Sequence, residues 1–313
     1  MLKKITIVLV IVLIVQLGIS AAIFWHQSQL RHKQQAHLLL SFKPQQVSHL
    51  IIEGDDAKLS LVKQQGHWVI PELSKLPADA VRVQELLEQL STLKSAWPVA
   101  DSPQAQQRFK VAKSHFHRHL ELLSDTGTIA NLYLGSSPEF RQVHLRREED
   151  TAIYRVPLTV YPLPTSAQQW LDKGLLQAHA DEITGPDFQI KKVKQVWQWQ
   201  GQPAPDKQVL SQEQASLFAN AISHLMIQKI AATPINGAAQ AQLTVKQAGK
   251  TFSYQLWHQD KRYQIARSDY TQRFSISQTQ YQQLTRYHAK TLLHLPKTKD
   301  KNSPKAPPVA AAH

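Results

Sequence analysis

"VHLRREEDTAIYRV", Val143 to Val156, decides how the rest of the chain is read, because it lies without a gap over "YQIARSDYTQRFSI", Tyr263 to Ile276, at an offset of 120. Leu145 then matches Ile265, Arg147 matches Arg267, Tyr154 matches Phe274 and Val156 matches Ile276. Both stretches alternate loosely between apolar and polar residues on either side of a charged turn, the pattern of two antiparallel strands with one buried face. Alternating strings resemble one another by chance, so the match gains meaning only if its surroundings also recur.

They do recur in order. Upstream of the first copy, "VSHLIIEG" and "AKLSLVKQQGHWVI" read as strands separated by a "GDD" turn, and "PADAVRVQELLEQLSTLK" reads as a helix. Val83, Leu86, Leu87, Leu90 and Leu93 fall at three- and four-residue spacings on one helical face, with Asp79 as its N-cap. "LELLSDTGTIANLYLG" adds a hairpin turning at "SDTG", and a short helix around "SAQQWLDKGLL" closes the half. The second half repeats the plan with "IKKVKQVWQWQ", the helix "SQEQASLFANAISHLMIQKI" and the strands "AQLTVKQAGKTFSYQLW" and "KRYQIARSDYTQRFSI". Its closing "YHAKTLL" parallels "WLDKGLL". The expected fold class is α+β: a duplicated, mainly antiparallel sheet-plus-helix unit, with copies at 44–178 and 179–295.

Ahead of these copies stands "ITIVLVIVLIVQLGISAAIFW", Ile5 to Trp25, uncharged over 21 residues. At 1.5 Å per residue a helix of this length spans roughly 30 Å, the thickness of a bilayer core. Lys3 and Lys4 on its leading side predict that residues 1–4 stay in the cytoplasm and that everything after Trp25 crosses. The expectation is one transmembrane anchor at 5–25, a basic juxtamembrane stalk at 26–43, an extracytoplasmic body and a disordered Pro- and Lys-rich tail at 296–313. The alternative is a cleaved leader, for which Gly18 and Ser20 have the spacing of a processing site. An inner-membrane protein of this topology in a Gram-negative cell places its body in the periplasm.

Composition narrows the chemistry. The chain has 313 residues and no cysteine, which excludes disulfides, thiolate metal sites and thiol nucleophiles. A formal charge of +13 favours anionic partners, and outside the cytoplasm these are lipid headgroups rather than nucleic acid. The expected partners are therefore membrane lipid through Ile5 to Trp25 and no nucleic acid; the sequence implies no oligomeric state.

The run "HWVIPELSKLPADAVRVQELLEQLSTLK", then "RFKV", then "LELLSDTGTIANLYLGSSPEFRQVHLRREEDTAIYRVPLTVYPLP" and "WLDKGLL" resembles bacterial domain-of-unknown-function family 4340. The likeness is strongest over Val47 to Leu176 and rests on the order of its elements: a Trp after a Gly turn, a Leu-rich helix, "L-x-L-G" ending a strand and a Trp-Leu-Asp-Lys ending. The resemblance implies a membrane-anchored extracytoplasmic protein associated with ABC-type transporters, possible partners being their membrane subunits. It implies no enzymatic activity and carries over no catalytic residue.

Among chemical candidates, "KSHFHRHLELLSDTG" places His115, His117, His119 and Glu121 at alternate positions, so one continuous strand would aim all four at a metal ion. The bland reading is a solvated face in a chain that carries 15 histidines. "QAGKTF" has the Gly-Lys-Thr of a phosphate loop, but Thr244 stands where that motif needs glycine and a strand pattern follows, so it reads as a hairpin turn. Asp55, Asp56, Glu148, Glu149 and Asp150 sit in predicted turns, as solvated carboxylates do. Trp68, Trp97, Trp170, Trp197, Trp199 and Trp257 read as core anchors, with Trp197 and Trp199 also able to form a stacking platform. No catalytic residue, cofactor or metal is expected. The leading expectation is a non-enzymatic accessory or scaffold protein; the alternatives are a module binding envelope lipid, glycan or polymer, and an unrecognised hydrolase or metalloprotein.

Overall fold

The structure, a computed structural model, describes residues 37–54, 57–95, 97–160, 163–201 and 208–295, together with Gln16. The expected anchor apart from Gln16, the cytoplasmic N-terminus, the tail and the Asp55–Asp56 turn lie outside the described residues, as does most of the expected stalk. No helix among the described residues is long and apolar enough to cross a membrane. The chain divides into two compact units that meet in sequence between Asp172 and Lys173, six residues before the boundary expected at 178. Both are mixed α/β, and every strand pairing among the described residues is antiparallel.

In the first unit, β1 (His49–Glu53), β2 (Lys58–Gln64), β3 (His67–Ile70) and β4 (Leu76–Pro77) form a meander. Gln65 and Gly66, with φ of 50° and 83°, close the β2–β3 hairpin in the left-handed conformations of a two-residue turn, where glycine is unstrained. Helix α1 (Ala80–Ser91) starts where the Asp79 carboxylate accepts from the Arg82 N–H at 3.0 Å, and it buries Val83, Leu86, Leu87 and Leu90. Leu93 is buried just beyond the helix rather than within it. After a short helix α2 (Pro103–Arg108), strand β5 (Arg118–Ser124) returns to pair with β1, followed by β6 (Gly127–Leu134), β7 (Val143–Arg147) and β8 (Ile153–Val156). The spatial order is β8-β7-β6-β5-β1-β2-β3-β4.

Alternate residues of these strands fill the core. Leu50, Ile52, Leu59, Leu61, Leu120, Leu122, Leu132 and Leu145 are all sealed from solvent. At about 25 cal/mol per Å² of apolar surface, each fully buried aliphatic side chain contributes roughly 1.5–3 kcal/mol, which fixes the register of each strand. At the β6–β8 end the opposite face is covered too, because α2 and the two-residue ladder of Val111–Ala112 with His115–Phe116 bring Ala105 and Val111 against Tyr133 and Ile153. Two apolar residues of the expected stalk, Leu39 and Leu40, are buried, with the Leu39 N–H donating to the Leu93 carbonyl at 2.9 Å. Hydrophobic residues this close to the folded body join it rather than extend away from it.

The second unit has β9 (Glu182–Thr184), β10 (Gln189–Val193) and β11 (Val196–Trp199), then α3 (Gln212–Ser223) and the short β12 (Lys229–Ile230). Strand β13 (Ala241–Gln247) pairs with β9 and continues into β14 (Lys250–Gln259), β15 (Arg262–Arg267) and β16 (Phe274–Ser275), giving the order β11-β10-β9-β13-β14-β15-β16-β12. The helices α4 (Gln278–Thr285) and α5 (Ala289–Leu292) follow. α4 had no counterpart in the periodicity reading, because its polar sequence "QTQYQQLT" buries only Leu284. Helix α3 is narrower than its expected segment: it stops at Ser223, and Leu225 and Ile227 are buried outside it. "QAGKTF" is a hairpin turn as read, with Ala248 and Gly249 at φ of 46° and 79° between the paired Gln247 and Lys250.

Candidate functional site

The ladder of the first unit lines up a row of polar side chains. Successive pairings Lys58–Glu53, Glu53–His119, His119–Tyr133 and Tyr133–Arg146 carry it across β2, β1, β5, β6 and β7. Directly paired residues share a face, so all five side chains project from the side of the sheet opposite Leu50 and Ile52. The Arg146 guanidinium lies 4.7 Å over the Tyr133 ring, and that ring stacks on the His119 imidazole at 4.5 Å. His119 Nδ1 then stands 3.5 Å from Glu53 Oε2 and 3.8 Å from Glu121 Oε1.

Three potential metal-ligating atoms, one each from Glu53, His119 and Glu121, lie within 4.8 Å of one another. Lys58 Nζ approaches both carboxylates, at 3.9 Å from Glu53 and 3.7 Å from Glu121. His119 is 9% exposed, and its Nε2 is buried without a hydrogen-bond partner among the described residues. Asn131, paired with Glu121 across β5 and β6, likewise has its Oδ1 buried without a partner.

Of the four alternating residues singled out from sequence, the structure brings His119 and Glu121 together and separates the other two. His115 is exposed and belongs to the small ladder with Ala112, while the His117 N–H donates to the Leu134 carbonyl at 3.0 Å before β5 begins. Period-two spacing aligns side chains only along an unbroken strand, and this one is broken at His117. Glu53 was missed because its place beside His119 depends on β1 pairing with β5, a contact no local pattern reports.

At the edge of this face the turn carboxylates organise structure. Asp150 accepts from the Ala152 N–H at 3.0 Å and from Arg147 at 2.9 Å, and these bonds hold its carboxyl below the usual carboxylate range. Glu148 is held low by its bond from Lys113 at 3.2 Å, and the Tyr133 phenol is pushed up by burial and by the neighbouring Glu148 charge. In the second unit Glu182 on β9 accepts from Lys246 at 2.8 Å and Gln189 at 2.7 Å, which lowers its carboxyl.

The second unit also bears a cleft of 320 Å³ whose lining includes Lys229, Lys261, Arg262, Tyr263 and Gln264. Another of 270 Å³ is lined by His179, Asp181, Lys192 and Trp197. Trp197 is a core residue whose backbone N–H and carbonyl are both held by the Gln212 side chain, at 2.9 and 2.7 Å. Trp199 shares its face and is half-buried. Trp68, Trp170 and Trp257 are buried anchors, whereas Trp97 is 55% exposed, contrary to the core reading.

Both units are mixed α/β built on antiparallel sheets, and the first carries a row of polar side chains on one sheet face. The family model "Domain of unknown function (DUF4340)" matches residues 68–248, and the chain belongs to this family. The match opens at Trp68 in β3 and ends at the β13–β14 turn, so it takes in parts of both units. No curated protein and no solved structure matches the chain.

Proposed function

We propose that this protein is a membrane-anchored accessory protein whose body stands outside the cytoplasm and engages a transport system of the ABC type. The observation that carries the reading is the uncharged 21-residue run Ile5 to Trp25, led by Lys3 and Lys4 and followed by two compact sheet units. Tethering confines a partner search to a thin layer beside the bilayer, so weak surface contacts suffice for association. Phe140, 86% exposed in the β6–β7 loop, is a natural contact point. The test is a photocrosslinker at Phe140 in the full-length chain, with adducts from native membranes identified by mass spectrometry. Transporter membrane subunits among the adducts support the reading; adducts with no membrane protein reject it.

We further infer that the two units are copies of one module. Each runs as a meander, a helix and a returning strand laid beside the first strand of the meander. The pair Leu145–Tyr154 in β7–β8 has its counterpart at an offset of 120 in Ile265–Phe274 of β15–β16. Arg147 and Arg267 each hold an acid two residues on, Glu149 at 3.7 Å and Asp269 at 2.7 Å.

A second reading, binding of an anionic envelope lipid or polymer, draws on the cleft of Lys229, Lys261 and Arg262. Flotation with vesicles containing anionic lipid distinguishes it: replacing all three residues by Ala abolishes salt-sensitive binding on this reading and leaves partner crosslinking through Phe140 intact.

A further inference from the structure

We propose that Glu53, His119 and Glu121 form a binding site for one divalent transition cation of the zinc class, with the Lys58 ammonium as its competing occupant.

The spacing is the first argument. An N–H donor reaches a carboxylate at about 2.7–3.2 Å. His119 Nδ1 stands outside that range from both acids, at 3.5 Å from Glu53 and 3.8 Å from Glu121. Ligands about 2.0–2.1 Å from a tetrahedral ion are about 3.3 Å apart, close to both distances from His119 Nδ1, and all three ligand atoms lie within 4.8 Å of one another. They stand at the distance of co-ligands rather than of hydrogen-bonded partners.

The second argument is the polar atoms left without partners. His119 is nine-tenths buried and aims Nδ1 between the two carboxylates, yet its Nε2 has no hydrogen-bond partner among the described residues. A metal ion held by Nδ1 requires the imidazole proton on Nε2, so that the Nδ1 lone pair and the two carboxylates face the same cation. Next to Glu121 the buried Oδ1 of Asn131 offers another acceptor with nothing to accept from. A buried polar group costs about 1–3 kcal/mol when left unsatisfied, and a cation held between Nδ1 and the two carboxylate oxygens gives all three of those acceptors a partner at once. Imidazole among the ligands favours zinc over calcium or magnesium.

Lys58 is the third element. Its ammonium lies 3.7–3.9 Å from both acids, but its side chain is 54% exposed, so it can swing into water when an ion arrives. The site is thus neutralised in two exchangeable ways, by the lysine or by a metal. The position is fixed by the β1–β5 pairing of Glu53 with His119, which holds two of the ligands on neighbouring rigid strands.

The test uses the full-length chain in detergent, stripped with a chelator and titrated with Zn²⁺ against a chromophoric competitor in excess Mg²⁺. The chain carries 15 histidines, so the comparison among variants decides the outcome, not stoichiometry alone. The expected result is one Zn²⁺ equivalent weakened about tenfold or more by Glu121→Gln and by Glu53→Gln. Lys58→Met, which removes the competing charge and no ligand, tightens it about fivefold, the effect of losing one positive charge near the ion in a mostly aqueous setting. Lys58→Met alters a half-exposed side chain and so carries the test should either carboxamide variant misfold. Absence of zinc binding, carboxamide variants that titrate like the parent, or weaker binding in Lys58→Met overturns the proposal.

Discussion

Replacing Gly135 by Ala places one methyl group where the "L-x-L-G" ending of β6 meets the chain leaving α2. A Cβ at Gly135 would lie 2.0 Å from the Phe109 carbonyl oxygen, 2.5 Å from the Lys110 oxygen and 2.8 Å from the Lys110 carbonyl carbon. All three are backbone atoms, so no rotamer relieves the clash; ordinary contact begins at 3.4 Å, and the chain after α2 must retreat by about 1.4 Å. That retreat breaks two bonds to the Phe109 carbonyl, from the Ser136 N–H at 2.8 Å and the Ser136 Oγ at 3.2 Å. It also opens the small cluster in which Ala105 and Val111 pack on Tyr133 and Ile153. Two hydrogen bonds at about 1 kcal/mol each, with about 1–2 kcal/mol of lost packing, give a destabilisation of about 3–4 kcal/mol. Hydrogen–deuterium exchange read on β6 and β7 peptides measures it: at 1.4 kcal/mol per factor of ten, protection should fall by two orders of magnitude or more. A loss of protection below tenfold would refute the claim that close backbone approach is what demands glycine there.

Other perturbations probe single interactions. Burial pushes the His144 imidazole below its ordinary value, so the unfolded chain takes up the proton first; stability is whole above about pH 6.5 and is lost as pH falls toward the folded-state value. His144→Gln should flatten that segment of a stability-against-pH curve, and an unchanged slope would assign the loss to other groups. The Glu182 carboxyl is held low by Lys246, so its contribution is present above about pH 4.3 and disappears as pH falls through the folded-state value. Glu182→Gln should cost about 1–2 kcal/mol at neutral pH, limited by the half-exposed lysine, and chemical denaturation should find no difference once both forms are uncharged. Lys194 and Gln195 occupy φ of 49° and 69° in the β10–β11 turn. Installing Asn-Gly there should raise the urea midpoint by the equivalent of about 1 kcal/mol, and a lower midpoint would refute the strain. Trp170→Phe deletes the 2.8 Å bond from Nε1 to the Pro164 carbonyl while keeping an aromatic ring beneath Arg82. It should cost about 1–3 kcal/mol by thermal unfolding.

Much of the local structure was legible because its causes are local. The Asp79 cap and the three- and four-residue spacing from Val83 to Leu90 contain their own explanation, and so does the "QAGKTF" hairpin. The α2 segment was not legible, since six residues with little apolar content report nothing of the Tyr133–Ile153 surface that holds them. At the candidate site the alternate spacing placed only two of its residues. His119 and Glu121 belong together, but their third companion, Glu53, stands on a strand far away in the chain.

By itself the sequence determined the absence of thiol chemistry, the uncharged run near its start, the strands and helix that alternate or cycle with their own periods, and membership in its family's pattern. These depend on residue type and short-range spacing, which folding does not alter. Tertiary structure alone decided that His115 and His117 leave the strand, that Glu53 and Lys58 join His119, and that Gly135 must admit the Phe109 carbonyl. Each of those outcomes depends on which strands lie side by side, and antiparallel pairing joins residues whose separation along the chain carries no trace in either neighbourhood.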